Sequence, residues 1–214
     1  MASKQLPAVL LAACAVLLAL ASDPDMLQDL CVADYKSLDG PLRLNGYPCK
    51  RPESTMANDF FSDVLSVPGN TGGNPSGSVV TTVTVDKVPG LNMLGVSMSR
   101  VDYAPWGVNP PHTHSRASEL LFDLEGSDVG FFTSSGKFVA RTVCKGEMFV
   151  FPRGLVHFQR NNNGSPAAAI SAFNQLPGTQ KLTEALYTAS PPVPADVLAW
   201  ALDLDGCMVE PCVI

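Results

Sequence analysis

Positive charge is scarce in this chain. Lysine and arginine together number 14 against 20 aspartates and glutamates, a net charge of −6, and nowhere do the basic residues cluster. Nucleic-acid binding and attachment to an anionic membrane surface both call for such a cluster, so neither is the expected role. Long apolar runs are equally few. The run from Ala8 to Ala19 is short for a membrane span, which needs about 20 residues, and no second stretch of that length follows. Lipid anchors lack their signals too: in Pro211-Cys212-Val213-Ile214 the cysteine stands one place too late for prenylation, and no hydrophobic tail precedes it. No internal repeat is evident, and strands do not alternate with helices, which argues against a parallel α/β sheet. Histidine occurs only three times.

What is present begins with a leader. Lys4, the apolar run and the small-x-small Ala19-Leu20-Ala21 read as a signal peptide over 1–21, with an uncleaved anchor as the alternative. The remainder, 22–214, is one ordinary domain, expected to be secreted and soluble. Cysteine usage agrees with that compartment. Cys31 and Cys49 flank a polar segment punctuated by proline and glycine. A bridge there would stabilise the fold by about 3 kcal/mol in the chain-entropy picture. Cys207 and Cys212 are placed to close a second loop. Cys144 is then left over among apolar residues and reads as a buried, inert thiol.

The stretch from Cys49 to about Val79 reads as loop, and β-rich runs at short, regular spacing follow it. They cover Val79–Val85, Met93–Tyr103, Glu119–Leu124, Val129–Phe132, Phe138–Val143, Met148–Phe151, Val156–Gln159 and Ala167–Phe173, separated by Gly, Pro, Ser or Asn. Such a pattern predicts an all-β sandwich or barrel. Thr179–Tyr187 and Pro194–Leu202 read as short helices, the second opened by a proline in its first turn. Asn163-Gly164-Ser165 is a glycosylation sequon in an Asn-rich turn, which stays either occupied or bare at this point.

All three histidines fall in two short segments. His112-Thr113-His114 lies in one, with Glu119 beginning the next strand-like run; His157 lies in the other, entered through Pro152-Arg153-Gly154. On an extended strand side chains repeat with period two, so His112 and His114 point to the same side. In a small barrel that side can be the interior, where imidazoles need partners that a divalent cation supplies. Taken singly, each of these residues has a bland reading as a solvated or hydrogen-bonded side chain. Together, on strands of a histidine-poor protein, they predict a metal site of His112, His114, Glu119 and His157.

These segments resemble a known family. One runs from Gly107 through His112, His114 and Glu119 to Gly126; the other runs from Gly146 through Pro152, Gly154 and His157 to Asn161. They are similar to the paired cupin motifs as plant germins and germin-like proteins carry them, and Pro177-Gly178-Thr179 and the early Cys31/Cys49 pair match as well. The resemblance covers essentially the whole of 22–214. It implies a cupin jelly-roll β-barrel over 79–175, an N-terminal extension over 22–78 with a Cys31–Cys49 disulfide, and C-terminal helices over 176–214. It also implies a homohexamer built as a trimer of dimers, an apoplastic location and manganese on the four ligands. Three neutral imidazoles and one carboxylate, with no thiolate, suit that ion, although copper and zinc bind such sets more tightly, so supply and geometry must select.

Two activities of the family follow as expectations: superoxide dismutation and oxalate oxidation, both releasing hydrogen peroxide outside the cell in defence or cell-wall processes. Germins that oxidise oxalate look to place two asparagines in the pocket. Asn109 matches one, but Ser99 stands where the other is expected, which favours dismutation. Trp106 replaces a usual glycine and reads as packing rather than as a gate; Ser115 replaces a usual proline. Arg116, Arg153 and Arg160 read as surface or inter-subunit ion pairs before substrate guidance. A non-catalytic extracellular binding, structural or storage protein with a structural metal is the alternative.

Overall fold

The computed structural model describes residues 29–36 and 46–202. The leader read over 1–21 and the Cys207/Cys212 loop lie outside the described residues. Among those described, ten strands form two five-stranded antiparallel sheets. One holds β1 (Ser78–Val83), β2 (Ser97–Tyr103), β9 (Ala167–Phe173), β4 (Glu119–Asp123) and β7 (Met148–Phe151), in that spatial order. The other holds β10 (Thr179–Lys181), β3 (Val108–His114), β8 (His157–Arg160), β5 (Gly126–Phe132) and β6 (Phe138–Cys144). Two short helices, α1 (Leu182–Tyr187) and α2 (Ala195–Leu202), follow. From β2 onward the chain crosses repeatedly between the sheets, which makes the architecture a jelly-roll barrel.

Period-two alternation sorts the side chains. On β4, Glu119, Leu121 and Asp123 are buried while Leu120 and Phe122 face out. The interior then divides by chemistry. Val101, Tyr103, Leu121, Val129, Val143, Phe151, Ala167 and Ala169 form the apolar core. The inward rows run on into Ser99, Ser171, His112, His114, Glu119 and His157, all buried. Alanine and serine along β9 leave space where larger residues would fill the barrel.

The segment between Cys49 and β1 has no regular strand or long helix; single turns of 3₁₀ helix run through it. It is docked by polar contacts to β2: Gly69 N–H donates to Asp102 at 2.8 Å, and Arg100 donates to the Leu65 carbonyl at 3.3 Å and to Asp102 at 2.8 Å. A disulfide joins Cys31 to Cys49, 18 residues apart, as the sequence suggested.

Several sequence expectations fail for identifiable reasons. The strand expected from Met93 begins only at Ser97, because Met93 and Gly95 take left-handed φ angles of 63° and 66° that break an extended run. The helix expected from Thr179 starts only at Leu182; Thr179–Lys181 pairs instead with β3, after Gly178 turns the chain at φ 61°. Cys144 is exposed rather than buried, since on β6 it alternates with the inward Val143 and so faces out.

Candidate metal centre

Three strands bring the four expected ligands together. His112 and His114 come from β3, Glu119 opens β4, and His157 opens β8 directly opposite His112 in the β3–β8 register. They are 2 %, 5 %, 2 % and 1 % exposed, respectively, and each offers one ligand atom within 4.8 Å of the others. Glu119 Oε2 lies 3.0 Å from His114 Nε2 and 3.1 Å from His157 Nε2. The rings are wedged by aromatics: Phe151 stacks on His157 at 4.4 Å, and Phe173 meets His114 edge-on at 4.9 Å.

A second layer sets the ring orientations. His112 Nδ1 faces the Pro110 carbonyl and His157 Nδ1 the Leu155 carbonyl, each at 2.8 Å. A carbonyl only accepts, so each Nδ1 carries its proton and each Nε2 presents a lone pair. His114 Nδ1 meets the Thr179 hydroxyl at 3.1 Å. Glu119 Oε1 accepts from Ser171 Oγ at 2.6 Å and from Gln159 Nε2 at 3.4 Å, and Asn109 Nδ2 donates to Gln159 Oε1 at 2.7 Å.

This arrangement requires positive charge at its centre. A lone pair on His157 Nε2 facing the Glu119 oxygen at 3.1 Å is repulsive unless a proton or a cation lies between. Burial opposes the proton: desolvation, then the neighbouring His157, push His112 down to about 4, against partial compensation from the Pro110 carbonyl. Burial also acts to raise the Glu119 carboxyl. Hydrogen bonds with His114 and His157, the charge of His157 and the Ser171 hydroxyl outweigh it and hold the carboxyl well below the usual range. A buried carboxylate gathered with three imidazole side chains is a donor set for a divalent metal ion.

The cupin family profile matches residues 64–210. Germin-like protein 1-3 of Oryza sativa subsp. japonica is 66 % identical over 193 residues, covering 89 % of this chain and 86 % of its own length. The chain belongs to the germin-like proteins of the cupin family. Nectarin-1 of Nicotiana langsdorffii x Nicotiana sanderae is 58 % identical over 187 residues, covering 86 % of this chain and 79 % of its own. Among solved structures, a recombinant oxalate oxidase in complex with glycolate superposes with a TM-score of 0.81 at 42 % identity, over 88 % of this chain and 94 % of that one.

As in any cupin, what the site can do depends on what surrounds the ligands. A cavity of about 310 Å³ reaches His112, His114 and Glu119, and Ser99 and Asn109 both line it. Asn109 reaches the interior by an irregularity. It lies three residues before His112, an odd spacing that would turn it outward on a regular strand. Between them the register with β8 shifts, at Pro110 and Pro111, which have no N–H for the ladder. The bulge returns Asn109 to the inside.

Other singled-out residues lie away from the cavity. Arg160 pairs with Asp128 at 2.6 Å, Arg116 donates to the Leu176 carbonyl at 3.2 Å, and neither they nor Arg153 line it. Trp106 does not pack as expected: it is 65 % exposed at φ 62°, a conformation that accounts for the usual glycine. Thr179, Ser171, Gln159 and Lys181 were missed by sequence reasoning. Only Thr179 carried a signal, its place in the Pro177-Gly178-Thr179 match.

Proposed function

We propose that this germin-like chain is secreted after loss of the leader 1–21, holds one manganese ion on His112, His114, Glu119 and His157, and produces hydrogen peroxide in the apoplast from superoxide. The observation that carries the reading is the gathering of four buried side chains, His112, His114, Glu119 and His157, with one ligand atom from each within 4.8 Å of the others. When bound, manganese supplies one-electron exchange between two oxidation states, so that two superoxide ions and two protons yield dioxygen and hydrogen peroxide. The chain's own residues do the rest. The Pro110 and Leu155 carbonyls hold the Nδ1 protons of His112 and His157, and the Thr179 hydroxyl bonds His114 Nδ1, so the rings keep their orientation toward Glu119. Ser171 and Gln159 hold the Glu119 oxygen that does not face the imidazoles, and Asn109 orients Gln159. Phe151 and Phe173 exclude water from behind the rings.

Oxalate oxidation is the second reading, favoured by Asn109 on the cavity wall and by the likeness to an oxalate oxidase solved with glycolate. Ser99 weakens it. Its hydroxyl is turned to Thr82 Oγ1 at 3.1 Å and is shorter than an asparagine amide, so a dianion meets one orienting amide fewer. Asn163 lies in a surface turn, its Oδ1 accepting the Ser165 N–H at 2.9 Å, and we place the glycan there.

The deciding experiment is elemental analysis of the secreted protein, followed by superoxide and oxalate assays on the same preparation. Manganese near one per chain with superoxide-dependent peroxide release is the expected result. His157→Ala should abolish both metal and activity while the barrel stays folded. Zinc, or a folded protein without metal, would overturn the redox reading in favour of a structural or binding role.

A further inference from the structure

The cavity beside the ligands carries a charge asymmetry. Apart from those ligands, its lining is hydroxyls, amides and apolar carbon, and Lys181 is the one charged side chain there among the described residues. Lys181 follows Thr179 by two residues on β10, so both side chains leave the strand on one face. That face is turned to the site, because Thr179 reaches His114 Nδ1. In the β10–β3 register Lys181 stands opposite His112. Its ammonium donates to Glu184 on α1 at 2.7 Å, and the two side chains are 37 % and 59 % exposed. An ion pair so open to solvent is weak, and Lys181 can exchange Glu184 for an entering anion at little cost.

We infer that Lys181 is the anion-selecting residue of this cavity and that Glu184 sets how much of its charge an entering anion meets. The inference deepens the reading of the site as a metal centre open to a small anion, and rests on it. A divalent ion on the ligands would outweigh the single negative charge of Glu119, and Lys181 adds the one further charge on the described wall, a positive one. The ligand class is a small anion, superoxide or a short carboxylate. The field of a lysine at such an opening raises the local anion concentration and is screened by salt.

The test is calorimetric titration of glycolate into the wild type, Lys181→Gln, Lys181→Glu and Glu184→Gln at two ionic strengths, with metal content measured on the same samples. Lys181→Gln should weaken glycolate by roughly three- to ten-fold, and Lys181→Glu by more. Glu184→Gln should tighten it by about two-fold, with metal content equal throughout. The salt dependence of binding should shrink in Lys181→Gln. Lysine variants that bind like the wild type overturn the inference. So does a Glu184→Gln protein that binds more weakly, since that marks the pair as a support for β10, or a metal-loaded wild type that binds no glycolate. A wild type without metal overturns the metal reading instead, and the ratio of wild-type to Lys181→Gln affinity still decides the role of the lysine.

Discussion

At His112, desolvation and the adjacent His157 ring favour the neutral imidazole, so the folded chain holds a proton there less readily than the unfolded chain does. Its folded value of about 4 lies below the ordinary 6.5. Between those values the unfolded state binds more protons, so stability falls with acidification across that window and is fully restored above it. Protons also compete with a metal for the same Nε2 atoms. Thermal unfolding and metal content, measured from pH 7 down to pH 4, should therefore decline together; full metal retention at pH 4 would contradict this. Thr179 offers a second check. It is not a ligand, but its hydroxyl is the partner of His114 Nδ1. Thr179→Val removes that partner with little change of volume. Metal affinity, read by competition with a chelator, should drop by on the order of ten-fold while the fold survives. An unchanged affinity would mean that Phe173 alone orients the His114 ring.

Among the elements, the turn between β2 and β3 stores strain that can be released. Trp106 holds a left-handed φ of 62° while leaving most of its side chain in water, so it pays a backbone penalty for little burial. Trp106→Gly should stabilise the protein by about 1 kcal/mol, seen as a rise in Tm of roughly 2–4 °C with metal content unchanged; a lower Tm would mean the indole packs against something essential. The elements show where a sequence can be read and where it cannot. The strand-like runs and the shared face of His112 and His114 were legible because both rest on local rules: alternation along a strand and two-residue spacing. Glu119 and His157 were placed beside them by the paired motifs of the germin resemblance. The inward face of Asn109 was not, because it depends on a bulge whose effect is defined only against β8. Nor was β10. Thr179–Lys181 has no strand-like pattern of its own and is extended because Gly178 delivers it to the open edge of β3. Ser171 and Gln159 looked like ordinary strand residues, since the carboxylate they serve lies 52 and 40 residues away in sequence.

For the whole molecule, the outer face of the first sheet calls for a partner. Cross-strand register places Met98, Ala172, Leu120 and Val150 in one row, with Ile170, Phe122 and Met148 in the next. Met98, Leu120, Phe122, Met148 and Val150 are all exposed, although an antiparallel sheet facing water ordinarily alternates to polar residues there. A contiguous apolar face of this kind marks an association surface. It supports the proposal that the chain assembles with copies of itself, as the germin resemblance implies. The site does not need the partner to form, since its four ligands come from one chain. Leu120→Asp and Phe122→Asp put charge into the middle of this face, on side chains that point away from the barrel interior. Each should shift the protein toward monomer in sedimentation or light scattering while the metal stays bound. The loss should appear as lower thermal stability that recovers with protein concentration, because association stabilises the folded chain by mass action. A variant that keeps the wild-type mass at micromolar concentration would move the assembly surface elsewhere on the barrel. Loss of metal along with mass would show that the outer face supports the ligands through β4, which carries Glu119 on its inner side and Leu120 on its outer one.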